Sequence, residues 1–153
     1  MRLRSGPRGA APKTPAATCS LSTARRSPPC PDRTTDADDE VIARFFGAAF
    51  TAAAQSDRQG LRLEGAEVAP RAGEILTCGV VAGAVQVPRG GQPIVLLADH
   101  QTTGGYPIIA TVIGADLGLV AQRAPGEPLR FYRVDRERAL LRGRERTALL
   151  ASA

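Results

Sequence analysis

The 153 residues carry 20 Lys and Arg against 15 Asp and Glu, with 43% hydrophobic residues, 4% aromatics and no Trp. That length and composition fit one globular domain with a largely aliphatic core, and no apolar run reaches the length of a transmembrane helix. The net charge of +5 is local: residues 1–33 carry +6 and the remaining 120 carry −1, a distribution that argues against a nucleic-acid footprint, as does the lack of aromatics between the basic residues.

Residues 1–35 are rich in Pro, Arg, Ser, Thr and Ala. Pro7, Pro12, Pro15, Pro28, Pro29 and Pro31 remove amide donors, and no apolar periodicity runs through the segment. The expectation is a disordered, dispensable leader. It lacks the apolar stretch of a secretory or twin-arginine signal and the amphipathicity of a transit peptide. Translation from a displaced start or frame is the favoured explanation.

The texture changes at Thr35. Thr35 or Asp36 can cap a helix, and Asp38, Asp39 and Glu40 place negative charge in its first turn. Val41, Ile42, Phe45, Phe46, Ala49 and Phe50 recur at helical spacing, which predicts a helix to Phe50 with three phenylalanines facing a core. Short strands follow. They are expected at Leu61–Leu63, Glu74–Val81, Ala84–Val87, Pro93–Ala98, Ile108–Ile113 and Leu129–Val134, with a turn at Pro88–Gly91. Asp116 is expected to cap a short helix. A last helix spans Asp135–Ala151, with Ala139, Leu140, Leu149 and Leu150 as its apolar members. The fold class is mainly β, a β-rich α+β barrel or sandwich with flanking helices.

Cys19, Cys30 and Cys78 form no CxxC pair, and His100 is the sole histidine. Neither a metal nor a redox site is expected. The odd, unpatterned cysteine count fits a reducing compartment, and a cytoplasmic protein is expected.

Three runs can carry chemistry. The first is Asp99-His100-Gln101-Thr102-Thr103-Gly104-Gly105-Tyr106-Pro107, a polar loop between two apolar strands. Asp99 can accept hydrogen bonds or act as a base, Gln101, Thr102 and Thr103 offer neutral donors and acceptors, and Gly104-Gly105 allows close backbone approach. Such a set suits a small molecule with amide, ureido or carboxylate groups. A plain hairpin loop is the competing reading. The second run holds Ser56, Asp57 and Arg58: either a fork for a carboxylate or a turn that fixes the loop before a strand. In the third, Gln86 alternates with Val85 and Val87 and so faces away from them, placed to bind an amide at a barrel mouth. Gly90-Gly91 precedes no Gly-Lys-Ser/Thr, so it is no phosphate loop.

The runs GAVQVPRGGQP, ADHQTTGGYP and SDRQGLRLEG resemble the signature of a biotin-dependent-carboxyltransferase-like family, that of the 5-oxoprolinase C-subunit and allophanate hydrolase subunit 2, from about Glu40 to about Val134. The resemblance implies a cyclophilin-like β-barrel, here an incomplete one over residues 36–153, because the family's N-terminal runs Gln-Asp-x-Gly-Arg and Gly-Val-Pro-x-Ser-Gly are not found. Ile108 stands where the family usually has Lys or Arg. The implied function is ATP-dependent opening of 5-oxoproline to glutamate, or carboxyl transfer to urea-like amides. Asp99, Gln101, Thr102, Thr103 and Tyr106 are then the catalytic candidates. Gln86, Gly104, Gly105, Ser56, Asp57 and Arg58 are the substrate-binding ones. ATP, with biotin as a further candidate, would be handled by partner subunits rather than this chain. A barrel with open edges is expected to be either oligomeric or poorly soluble, and inactive alone. The alternatives are a non-catalytic partner of a kinase-inhibitor-like subunit or an inactive truncated product.

Overall fold

The computed structural model describes residues 17–23, 39–68 and 77–152. In chain order the elements are β1 (Ala17–Thr23), α1 (Asp39–Gly47), β2 (Ala49–Ala52), β3 (Gly60–Gly65), β4 (Cys78–Gly79), β5 (Ala84–Gln86), β6 (Ile94–Leu96), β7 (Thr103–Gly104), β8 (Ile108–Val112), α2 (Gly114–Ala121), β9 (Pro128–Arg133) and α3 (Arg136–Ala151). Six strands form one curled antiparallel sheet in the order β8-β5-β6-β3-β2-β9. Its two edges are bridged by β1, antiparallel to β8 and parallel to β9, which closes the barrel. The β-rich class with flanking helices is thus the observed one.

β1 corrects the expected leader. Residues 17–23 are a strand of the barrel, not a disordered segment, and the edges expected to be open are occupied. The physical reason is tertiary. None of the six leader prolines falls within Ala17–Thr23, and two neighbouring strands offer backbone partners that local periodicity does not register. The rest of the leader lies outside the described residues. So do the helix cap expected at Thr35 or Asp36 and the first three residues, 74–76, of the strand expected at Glu74–Val81; in its described part only Cys78–Gly79, β4, is strand.

The helix expected to reach Phe50 stops at Gly47. Glycine is a poor helix former, the Ala48 amide turns back to the Phe45 carbonyl at 3.4 Å, and Phe50 alternates with Ala52 as an inward residue of β2. Phe50 therefore reaches the core from the sheet. Phe45 of α1 lies among all the other phenylalanines. Its ring is stacked on Phe131 at 5.0 Å, tilted on Phe50 at 5.2 Å and edge-on to Phe46 at 5.5 Å. Below this aromatic plug the core is aliphatic, as the composition implied, with Leu61, Leu63, Val85, Val95, Ile109, Val112 and Leu129 buried. Gly83 enters β5 at φ +85°, and a Cβ there would sit 2.8 Å from the Val112 carbonyl. Only glycine fits both the left-handed backbone and that approach.

Asp116 does not cap α2. The extended Ile113 precedes the helix, and Asp116 lies within its first turn, 1% exposed, with Arg142 Nη2 of α3 at 3.1 Å. Burial of a carboxylate is tolerated because the guanidinium pairs with it. Arg146 adds a hydrogen bond to the Ala115 carbonyl. α3 is capped by Asp135, its side chain accepting from the Arg138 amide at 2.7 Å. Its leucines, however, do not dock. Leu140, Leu141, Leu149 and Leu150 are exposed, and α3 is tied to α2 through its arginines. No described helix is long and apolar enough to cross a membrane.

Candidate functional site

β5 is a three-residue strand with every residue buried. Its two faces meet different neighbours, as the two-residue period requires. Val85 points into the main core, whereas Ala84 packs with Val80 and Leu96 in a second, smaller cluster. Gln86 shares the face of Ala84 and is 1% exposed. What covers it is the small second sheet, β4 paired with β7: Cys78 opposite Gly104, Gly79 opposite Thr103. The Val80 amide extends this clasp by donating to the Thr102 carbonyl at 3.0 Å. A register shift between β5 and β8 falls at Val85/Gln86, the kind of irregularity that re-aims side chains near sites.

Gln101 reaches back from the loop to this glutamine, its Nε2 donating to Gln86 Oε1 at 3.3 Å. The Gln86 Nε2 is buried and makes no hydrogen bond. Gly104 passes directly over it: a Cβ on Gly104 would lie 2.8 Å from Gln86 Nε2 and 3.3 Å from Gln101 Nε2. Three residues from two separate runs are therefore gathered at one point.

A second group lies on the same loop. Arg58 grips Asp99 with both arms of its fork, Nε to Oδ2 at 3.0 Å and Nη2 to Oδ1 at 3.4 Å. The backbones run together as well, with the Asp99 amide donating to the Arg58 carbonyl at 3.0 Å and the Leu97 amide to the Gln59 carbonyl at 2.9 Å. Asp57 turns the loop by accepting from the Gln59 and Gly60 amides at 2.9 and 3.1 Å. Ser56 Oγ accepts from the Arg62 amide at 3.1 Å. Of the readings open for Ser56 and Asp57, the loop-fixing one describes their contacts. Arg58 does bind a carboxylate, that of Asp99. The pair is mostly exposed and is worth little to stability. Its consequence is to lock two of the three sequence runs side by side.

The remaining candidates are distributed along the loop. Thr102 and Thr103 are exposed, the first contributing its carbonyl to the clasp and the second its backbone to β7. Gly105 and Tyr106 are exposed beyond it. His100 turns inward along the chain, Nδ1 2.6 Å from the Gln101 carbonyl. Gly90 and Gly91 close the β5–β6 hairpin, the Gly91 amide donating to the Pro88 carbonyl at 2.9 Å. With a strand following rather than a helix, this turn does not fit a nucleotide phosphate. What sequence reasoning missed is the cover: β4 lies within the strand expected at Glu74–Val81, but its pairing with the two-residue β7 leaves no periodic signal.

A family model for the carboxyltransferase domain, subdomain A and B, matches residues 5–133, which extends into the leader and across β1. The chain is 45% identical over 98 residues to the 5-oxoprolinase C-subunit of Escherichia coli, covering 63% of this chain and 31% of that protein. It is 46% identical over 91 residues to the 5-oxoprolinase C-subunit of Haemophilus influenzae, covering 59% and 29%. The chain thus matches under a third of the length of these curated relatives. Among solved structures, the Kluyveromyces lactis urea carboxylase matches with a TM-score of 0.73 at 20% identity, over 86% of this chain and 12% of that one. That likeness concerns the fold.

Proposed function

The chain belongs to the carboxyltransferase-domain family, subdomain A and B, and from that premise we propose that it supplies a small-amide site to an ATP-dependent 5-oxoprolinase or a related urea/allophanate-type carboxyltransferase. The observation that carries this reading is Gln86, a buried carboxamide with an unpartnered nitrogen under the loop of residues 99–106. A buried polar atom left without a partner is costly in a native fold unless a ligand completes it. The loop around it brings an amide, hydroxyls, an imidazole turned to the Gln101 carbonyl and one carboxylate already held by arginine. Such a lining suits recognition of a lactam or ureido group. In lactam opening the ring C–N bond breaks, water adds oxygen to the carbonyl carbon, and the nitrogen leaves as an amine. Asp99, Gln101, Thr102, Thr103 and Tyr106 are the groups of this chain placed to orient the substrate and move protons. ATP, and biotin in the carboxyl-transfer case, belong to partner subunits, and the complete site forms with those subunits.

The exposed leucines of α3 favour a second reading, a binding subunit without chemistry of its own. One experiment separates them. The full chain is mixed with the partner subunits of its own system, and 5-oxoproline-dependent ATP hydrolysis is measured. Asp99→Ala and Thr102→Ala are expected to cut the rate by about 100-fold, the scale for losing a positioned acid–base group, while assembly survives. Unchanged hydrolysis in both variants contradicts the site assignment, and assembly with no hydrolysis in the wild type favours the binding reading.

A further inference from the structure

Building on the amide-site reading, we infer that Gln86 presents its Nε2 as a hydrogen-bond donor to an acceptor oxygen of the ligand, that Gln101 is the positioning residue that sets this polarity, and that Gly104 sets the space around the donor. A carboxamide has one accepting and one donating end, and which end faces a site depends on what holds the other. Here Gln101 Nε2 donates to Gln86 Oε1 at 3.3 Å. That contact occupies the accepting end and leaves the donating end free. The donor is buried, has no partner, and lies where a Cβ on Gly104 would approach to 2.8 Å. Within this fold, then, a side chain at position 104 would displace the Gln86 amide, and glycine is required for function rather than for backbone conformation, since Gly104 has no positive φ.

The consequence for the ligand is a definite chemistry. The group that meets Gln86 is a carbonyl or carboxylate oxygen and not an N–H. Gln86→Glu keeps the shape but replaces the donor with an anionic acceptor, which repels either kind of oxygen. Gln101→Ala removes the hold on Oε1, and Gln101→Arg restores N–H donors to it.

The test is calorimetric titration of the full chain, assembled with its partner subunits, against 5-oxoproline, pyrrolidinone and proline. The first carries both a lactam carbonyl and a carboxylate, the second only the carbonyl, the third only the carboxylate. Expected are binding of 5-oxoproline by the wild type and a weakening of about 10–100-fold in Gln86→Glu, the scale for an unpaired polar group in a recognition site. Gln101→Ala should weaken binding by about 10-fold, on the scale of one lost hydrogen bond, and Gln101→Arg should recover most of it, which a merely structural role would not do. Whichever of pyrrolidinone and proline also loses affinity in Gln86→Glu identifies the oxygen that meets Gln86. Equal binding by wild type and Gln86→Glu overturns the donor assignment while leaving the amide site standing. Failure of the wild-type assembly to bind any of the three compounds removes both. Should Gln86→Glu not assemble, the Gln101 pair decides alone: no loss in Gln101→Ala overturns the inference.

Discussion

Cutting the chain before Ala24, which removes β1, is expected to abolish cooperative folding and drive the remainder into aggregates. β1 holds three register pairs with β8 and five with β9. At about 1 kcal/mol net per hydrogen bond, losing these ladders approaches the whole stability of a typical domain, about 5–15 kcal/mol. The loss also bares two strand edges at once, and bare edges pair with other chains. Ser20→Pro is the finer test, because proline removes an amide from a strand that has a neighbour on each side. Urea unfolding followed by far-UV circular dichroism, with light scattering on the same samples, reads both effects. A shortened chain that unfolds at the full-length midpoint would show that the barrel does not need β1.

Phe45→Ala is expected to cost about 3–5 kcal/mol, the range for removing a buried aromatic side chain and leaving a cavity. Phe45 is fully buried and its ring contacts Phe46, Phe50 and Phe131. It joins α1 to β2 and β9, so few neighbours are free to collapse into the space. Phe46→Ala is the comparison: Phe46 is only half-buried and should cost distinctly less. The urea midpoint of each variant, at unchanged slope, measures the difference. Equal midpoints for the two variants would contradict the placement of Phe45 at the centre of the cluster.

Legibility in the sequence followed the range of the interactions. The strands β3, β5, β6, β8 and β9 and the helix α3 were readable because each is written in a contiguous pattern, apolar runs between turns or a helical stretch. The three polar runs were readable for the same reason, and two of them meet at Gln86 and Gln101, two at Arg58 and Asp99. β1 was not readable, since its strand character comes from edges contributed over 80 residues later. Phe50 fitted a helical spacing that Gly47 interrupts. Asp116 looked like a cap because its partner, Arg142, lies on another helix. The most consequential miss was the β4–β7 cover, which turns Gln86 from a residue at a barrel mouth into a buried one.

That cover makes the central claim measurable. The full chain, assembled with its partner subunits, is exchanged into deuterated water with and without saturating 5-oxoproline, and amide protection is read peptide by peptide. If Gln86 and the loop above it form the amide site, ligand slows exchange in peptides spanning residues 78–87 and 97–107, where β4, β5 and β7 enclose the buried carboxamide. Peptides from α3 remain unchanged. Ligand-induced protection confined to other parts of this chain, or to the partner subunits alone, would contradict the claim that this chain carries the site.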